Sequence, residues 1–332
     1  MNYSKNLWLL SAIAFLVSCS NPPKEQDIKE SPEPEQQASK KISSPNFNED
    51  SAFAFLKKQV DFGPRVPGSK AHANAATYFQ NKLKASGLKV ELQQAPITTF
   101  DGNKYTLKNI FASYKPELKY RILLTAHWDS RPFADEDTKN IGQAIDGAND
   151  GASGAAVLLE IARLLSENKP EIGVDFLFND LEDYGQPDNS MGERQEDTWC
   201  LGTQYWAKNK AADYKPKFGI LLDMVGGQIP IFPMEGTSIT YAPEIVQKVW
   251  DVAARLGYGN YFISTKMNQT TDDHLYINSI AQIPCIDIVH MDPSTGTYPN
   301  FHHTHKDNLQ LIEKSTLKIV GQTVIQVIYE EI

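Results

Sequence analysis

The chain has 332 residues, 41% of them hydrophobic, which suffices for the core of one large α/β domain or two small ones. The net charge is −9 and no stretch is strongly basic, so nucleic acid is excluded as an expected partner. Three cysteines occur, with no CxxC and no zinc-finger spacing.

Lys5 and the apolar run 7–17 have the form of an export signal, and the run is short for a membrane span. Leu16-Val17-Ser18-Cys19 resembles the bacterial lipoprotein signal, which makes Cys19 the expected lipidated N-terminus. An ordinary secretory signal cut nearby is the alternative. Residues 20–45 are rich in Pro, Glu, Gln, Ser and Lys and read as a disordered tether. The expected product is an exported lipoprotein, anchored by lipid and facing the periplasm or the cell exterior. Its folded domain spans 46–332. An exported domain could join Cys200 to Cys285, and the sequence leaves that bond open.

Residues 47–60 have the spacing of an amphipathic helix. Ser69 is a plausible cap for a second helix over 70–84, which Gly87 ends. Strands are predicted at 88–94, 106–114 and 121–126, and the turn at Asp101-Gly102-Asn103 makes the first two antiparallel neighbours. The stretch 144–156 is a small-residue loop built around Asp150, and 157–165 continues as a helix with one buried face. A buried strand over 173–178, a polar insert over 186–198 and a helix from Trp199 to Lys208 follow. Then come a strand over 218–222, a helix over 243–256, a short helix over 272–278 and a strand over 283–289. The last helix covers about 312–329. This alternation predicts a single-domain, three-layer α/β sandwich with a central, mixed, twisted sheet flanked by helices.

In such sheets ligands gather at the carboxyl ends of strands. His127, Asp129, Glu182, Asp183 and Asp223 all fall just after predicted apolar runs, and Asp150 precedes a helix. Alone, Asp150 would read as an N-cap. Together, carboxylates and imidazole make a zinc-type site of three protein ligands and one open position. Asp150, Asp183 and one His would fill it. The His candidates are His302, His303 and His305. An extended segment there would put His303 and His305 on one side and His302 on the other. Glu182 would serve as general base.

These motifs resemble a family. Ala126-His127-Trp128-Asp129-Ser130, the Asp150 loop, Glu182-Asp183, Leu222-Asp223-Met224, Asp272-Asp273-His274 and His302-His303-Thr304 follow the order of the zinc-dependent aminopeptidase-like fold. Within it the chain looks most like the bacterial glutaminyl cyclases. The resemblance covers roughly residues 50–332. It implies one zinc held by Asp150, Asp183 and His303, Glu182 as proton carrier, and Asp223 and Asp272 hydrogen-bonded beside it. It implies peptides or proteins with N-terminal glutamine as substrates, converted to pyroglutamate with release of ammonia. His127 and Asp223 match second-zinc ligands of the aminopeptidases in this fold. There a Ser commonly precedes the Asp-His pair, where this chain has Asp272. An Asp at this place would share a proton with Asp223 and disfavour a second zinc; the competing role is a cap for the helix that follows.

The chain departs from the animal cyclase pattern in three ways. Asp183 stands where Glu is usual. His302 stands where a Trp precedes the zinc His. The insert after Asp183 is longer, which leaves Trp199 as candidate for the second pocket aromatic, against a role in packing its own helix. The rival readings are a two-zinc aminopeptidase and a non-catalytic peptide-binding lipoprotein.

Overall fold

The computed structural model describes residues 43–188, 190–191 and 193–332. Cys19, the expected signal and nearly all of the tether lie outside them. Two helices lead. In α1 (Glu49–Val60) the Asn48 side chain accepts the Ser51 N–H, and Ala52, Leu56 and Gln59 bury one face. In α2 (Lys70–Ala85) Ser69 caps His72 N–H, and Ala75, Ala76, Phe79 and Leu83 point inward at helical spacing.

A hairpin of β1 (Lys89–Thr98) and β2 (Lys104–Tyr114) follows, antiparallel as the turn sequence predicts. Pro96 is tolerated because β1 is an edge strand. The chain continues through β3 (Arg121–His127), α3 (Ala152–Asn168), β4 (Gly173–Asn179), α4 (Leu201–Asn209) and β5 (Gly219–Asp223). Next come β6 (Phe232–Met234), α5 (Gly236–Tyr241), α6 (Pro243–Arg255) and β7 (Phe262–Lys266). The fold ends with α7 (Asp273–Ser279), β8 (Cys285–Val289) and α8 (Lys314–Tyr329).

Six strands form one mixed sheet in the order β1-β2-β4-β3-β5-β8. β4, β3, β5 and β8 are mutually parallel, so their carboxyl ends share one edge. Side chains alternate across each strand, and both faces are covered. On β3, Ile122, Leu124 and Ala126 join the core beneath α1, α3 and α8, while Leu123 packs with Trp206 of α4 and Ile277 of α7. Three layers result.

One expectation needs correction. α3 begins at Ala152, so 152–156 are helix rather than loop. Gly154 lies inside it because a Cβ there would come within 2.1 Å of the Leu222 carbonyl oxygen. The missing side chain lets the helix start pack directly on the end of β5. The short β6–β7 pair and α5 were not foreseen from the sequence. Three residues centred on Pro233 carry no readable periodicity, and β7 is mostly exposed beyond Phe262.

Candidate active site

The shared strand edge positions the site. β3 ends on His127 and β5 on Asp223, while Glu182 and Asp183 lie in the turn after β4. His127 Nε2 is 3.0 Å from Asp150 Oδ1 and 3.2 Å from Asp223 Oδ1. Asp150 is no N-cap: the cap position of α3 is Gly151, at φ +92° and with no side-chain hydrogen bond. The Asp150 loop is instead held from outside. Asp307 accepts the N–H groups of Asn149 at 2.6 Å and Asp150 at 3.0 Å. The buried Arg65 guanidinium donates to the carbonyls of Trp128, Asp146 and Gly147, tying the Asp129 and Asp150 loops together.

Asp129 sets the Glu182-Asp183 turn. Its two oxygens accept Glu182 N–H and Asp183 N–H, each at 3.2 Å. Leu181, just before, has φ +54°, a conformation a γ-branched residue rarely adopts without outside support. Arg131 adds more support, donating to the backbone oxygens of Asp183 at 2.9 Å and Gly185 at 3.1 Å.

His302 and His303 do not lie in an extended segment. Residues 301–306 form turns, and His303 has φ +51°. The two rings therefore stack face to face at 3.6 Å, and both line the cleft. His305 is directed away, its backbone N–H on Asp137. Trp199 lines the same cleft, parallel to His303 at 5.7 Å and 4.4 Å from the Arg131 guanidinium, rather than packing its helix. The cleft holds about 480 Å³.

Glu182 opens into this cleft. The Cys200 thiol donates to its Oε1 at 3.1 Å, and an Asp272 oxygen lies within 4.8 Å of both groups. Cys200 and Cys285 are both free, buried thiols, which closes the question of a bond between them. Asp272 does cap α7, accepting Asp273 N–H at 2.5 Å, yet it also faces the cleft. Asp223 Oδ1 lies 3.2 Å from His127 Nε2, where it can accept the imidazole N–H. An Asp272 oxygen also lies within 4.8 Å of an oxygen of Asp287, a residue whose place in the sequence gave no sign of it.

The charge balance of the site is strongly negative. Burial, then Asp150, pushes Asp183 well above the usual carboxylate range, and burial does the same to Glu182. Burial alone would lower the His127 imidazole, but Asp129, Asp150 and Asp223 outweigh it and raise it well above its ordinary value. Burial, with His302, Arg131 and His127, keeps His303 neutral, the form a metal takes as ligand.

Oxygen and nitrogen atoms of Asp150, Asp183 and His303 all lie within 4.8 Å of one another. Neither buried oxygen of Asp183 accepts a hydrogen bond, although His303 Nε2 stands 3.1 Å away. Orphaned carboxylate oxygens beside a neutral imidazole fit a divalent cation such as zinc, which removes the repulsion that burial creates. His127, Asp150 and Asp223 form a second cluster of the same size.

Sequence reasoning missed Arg65, Arg131, Cys200, Asp287 and Asp307 as parts of this site. Only Asp307 carried a signal, as an acid just past the His cluster.

Comparison with known proteins agrees with this geometry. The sequence profile of Peptidase family M28 matches residues 109–328. The glutaminyl cyclase of Bacteroides thetaiotaomicron, solved with N-acetylhistamine bound, is 51% identical. The match covers 86% of this chain and 99% of that one, with a TM-score of 0.84. A leucine aminopeptidase precursor from the same species is 49% identical, covering 87% and 99%, with a TM-score of 0.83. A glutaminyl-peptide cyclotransferase of Gloydius blomhoffii is 25% identical over 76% of this chain and 73% of its own length. The matched profile and the shared fold agree: the chain belongs to peptidase family M28, with bacterial glutaminyl cyclases among its near structural relatives.

Proposed function

We propose that this protein is a zinc-dependent glutaminyl-peptide cyclotransferase, converting N-terminal glutamine to pyroglutamate and releasing ammonia. The observation that carries this reading is the Glu182–Asp272 pair of buried carboxyls at the cleft, within 4.8 Å of each other and outside the Asp150-Asp183-His303 cluster. Adjacent carboxyls whose protonation is coupled can supply base and acid in turn. The 51% identity to a glutaminyl cyclase supports the substrate assignment.

Asp150, Asp183 and His303 would hold the zinc, which when bound supplies polarisation of the γ-amide carbonyl. Glu182 takes a proton from the substrate α-amine as that nitrogen bonds to the side-chain amide carbon, Cδ. It returns the proton to the amide nitrogen, which leaves as ammonia when the C–N bond breaks. The His302, His303 and Trp199 rings wall the cleft and hold the side chain folded for five-membered ring closure, where positioning supplies much of the acceleration. Cys200 holds Glu182 from behind.

The test is parallel incubation with a glutaminyl peptide and a leucyl peptide. Ammonia release without free leucine is the expected result. Leucine release at a comparable rate would establish a second reading, the two-zinc aminopeptidase, which the His127-Asp150-Asp223 cluster favours.

The remaining proposals concern partners and address. Partners are peptides or proteins bearing N-terminal glutamine. Outside the described residues, Lys5, the apolar run 7–17 and Cys19 support export and lipid anchoring to a membrane. Labelling with a radioactive fatty acid should mark the wild-type protein and spare Cys19→Ala.

A further inference from the structure

Asp287 is a carboxyl that the proposed reaction does not use. It sits on β8, fully shielded from solvent. Its backbone N–H goes to Ser238 Oγ at 2.9 Å, and neither side-chain oxygen meets an N–H or O–H donor. The side chain faces the Asp272 carboxyl, with oxygens of the two within 4.8 Å of each other. Oxygens of these two residues and a ring nitrogen of His274 all lie within 4.8 Å of one another.

Two ionised carboxylates offer only acceptors, so a hydrogen bond between them requires one proton. The charged groups that act most strongly on Asp287 are all acids. Besides Asp272 they are Asp223, Glu235 and Asp273. His274 has its Nε2 on Glu235 Oε2 at 2.9 Å. Burial pushes both partners well above the usual carboxylate range. Asp287 is the next cause for Asp272, and Asp223 for Asp287.

We propose that Asp272 and Asp287 form an acid–carboxylate pair holding one proton, and that Asp287 is a positioning residue that fixes Asp272 against Glu182. Asp272 is then held by Asp273 N–H and by Asp287, with an oxygen within 4.8 Å of Glu182 and Cys200. The catalytic half of the proposal rests on Glu182 being the proton carrier of a cyclotransferase; the pair itself does not.

The experiment uses the full-length, zinc-loaded protein with Asp287→Asn and Asp287→Leu. The infrared difference between wild type and Asp287→Asn at neutral pH should show a carboxylic-acid C=O band that shifts in deuterated water. The Asn amide can donate to or accept from Asp272, so this variant should keep zinc and a kcat within about threefold of wild type. Leu has similar volume and no polar atom. It should keep KM and zinc but lower kcat by about tenfold to a hundredfold, because Asp272 loses its partner. Absence of the band overturns the pair. A wild-type kcat in Asp287→Leu, or an Asn variant as slow as the Leu variant, overturns the positioning role. If Asp287→Leu does not fold, the infrared difference and the kcat of Asp287→Asn decide. A wild-type enzyme that shows the band but leaves glutaminyl peptides unchanged retains the pair and refutes the cyclotransferase reading instead.

Discussion

Asp129 carries the backbone that presents both Glu182 and Asp183, so removing it should cost stability and activity together. In Asp129→Ala two buried backbone donors, now 3.2 Å from carboxylate oxygens, lose their acceptors. An unsatisfied buried donor costs about 1–3 kcal/mol, which sets a range of about 2–6 kcal/mol for the pair. One effect opposes this loss. Asp129 is one of the charges that burden the buried Glu182, and its removal relieves that repulsion. The lower half of the range, about 2–4 kcal/mol, is therefore expected. Asp129→Asn keeps one carbonyl acceptor and turns an NH2 group toward the second donor, so it should lie about midway between wild type and Ala. Urea unfolding followed by fluorescence measures both variants. With the turn released, kcat should fall by about a hundredfold, and zinc affinity by about tenfold or more through the displaced Asp183. An Ala variant within about 0.5 kcal/mol of wild type, with zinc and kcat intact, would refute the anchoring role. An Asn variant less stable than Ala would refute the assignment of two accepted N–H groups.

Four further outcomes are expected. Glu182→Gln should retain zinc and lose about a hundredfold or more in kcat, measured by ammonia release beside metal analysis; near-normal turnover would remove Glu182 from the reaction. Asp183→Ala and His303→Ala should lose metal and activity together, and full zinc in His303→Ala would move the third ligand to another His. A chain starting at residue 43 should fold and turn over substrate like the full-length protein. Phe47 is buried against Gly321 with its N–H on Gln322, so Phe47→Ala should lower stability by about 3–5 kcal/mol in a urea melt, and a change under 1 kcal/mol would contradict that packing.

The parts of this site most directly legible in the sequence end an apolar run. His127 closes β3 and Asp223 closes β5, and parallel pairing brings the ends to one edge. Position along the chain thus maps directly onto position in space. The same holds for Ser69, whose cap is a local interaction, and for the Asp101-Gly102-Asn103 turn. The Glu182-Asp183 turn is already harder, because Asn179, Asp180 and Leu181 intervene and the geometry rests on a positive φ at Leu181. The His cluster is harder still. Nothing in the residue types indicates that His303 adopts φ +51°, and without that turn an extended segment is the natural expectation.

The supporting groups had no such signal, for a physical reason. Asp307 holds the Asp150 loop from 157 residues away, and Arg131 holds the Asp183 backbone from 52 residues away. Each makes its contact through the tertiary fold, so its own neighbourhood in sequence looks like any polar loop. Asp287 is the extreme case. It lies within the apolar strand β8, where an inward acid reads as an anomaly rather than a site. A buried acid without a donor is unstable as an anion. It persists only where it carries a proton or faces one, and Asp287 faces the carboxyl beside Glu182. The cost of burying that acid makes sense if its proton holds Asp272 in place.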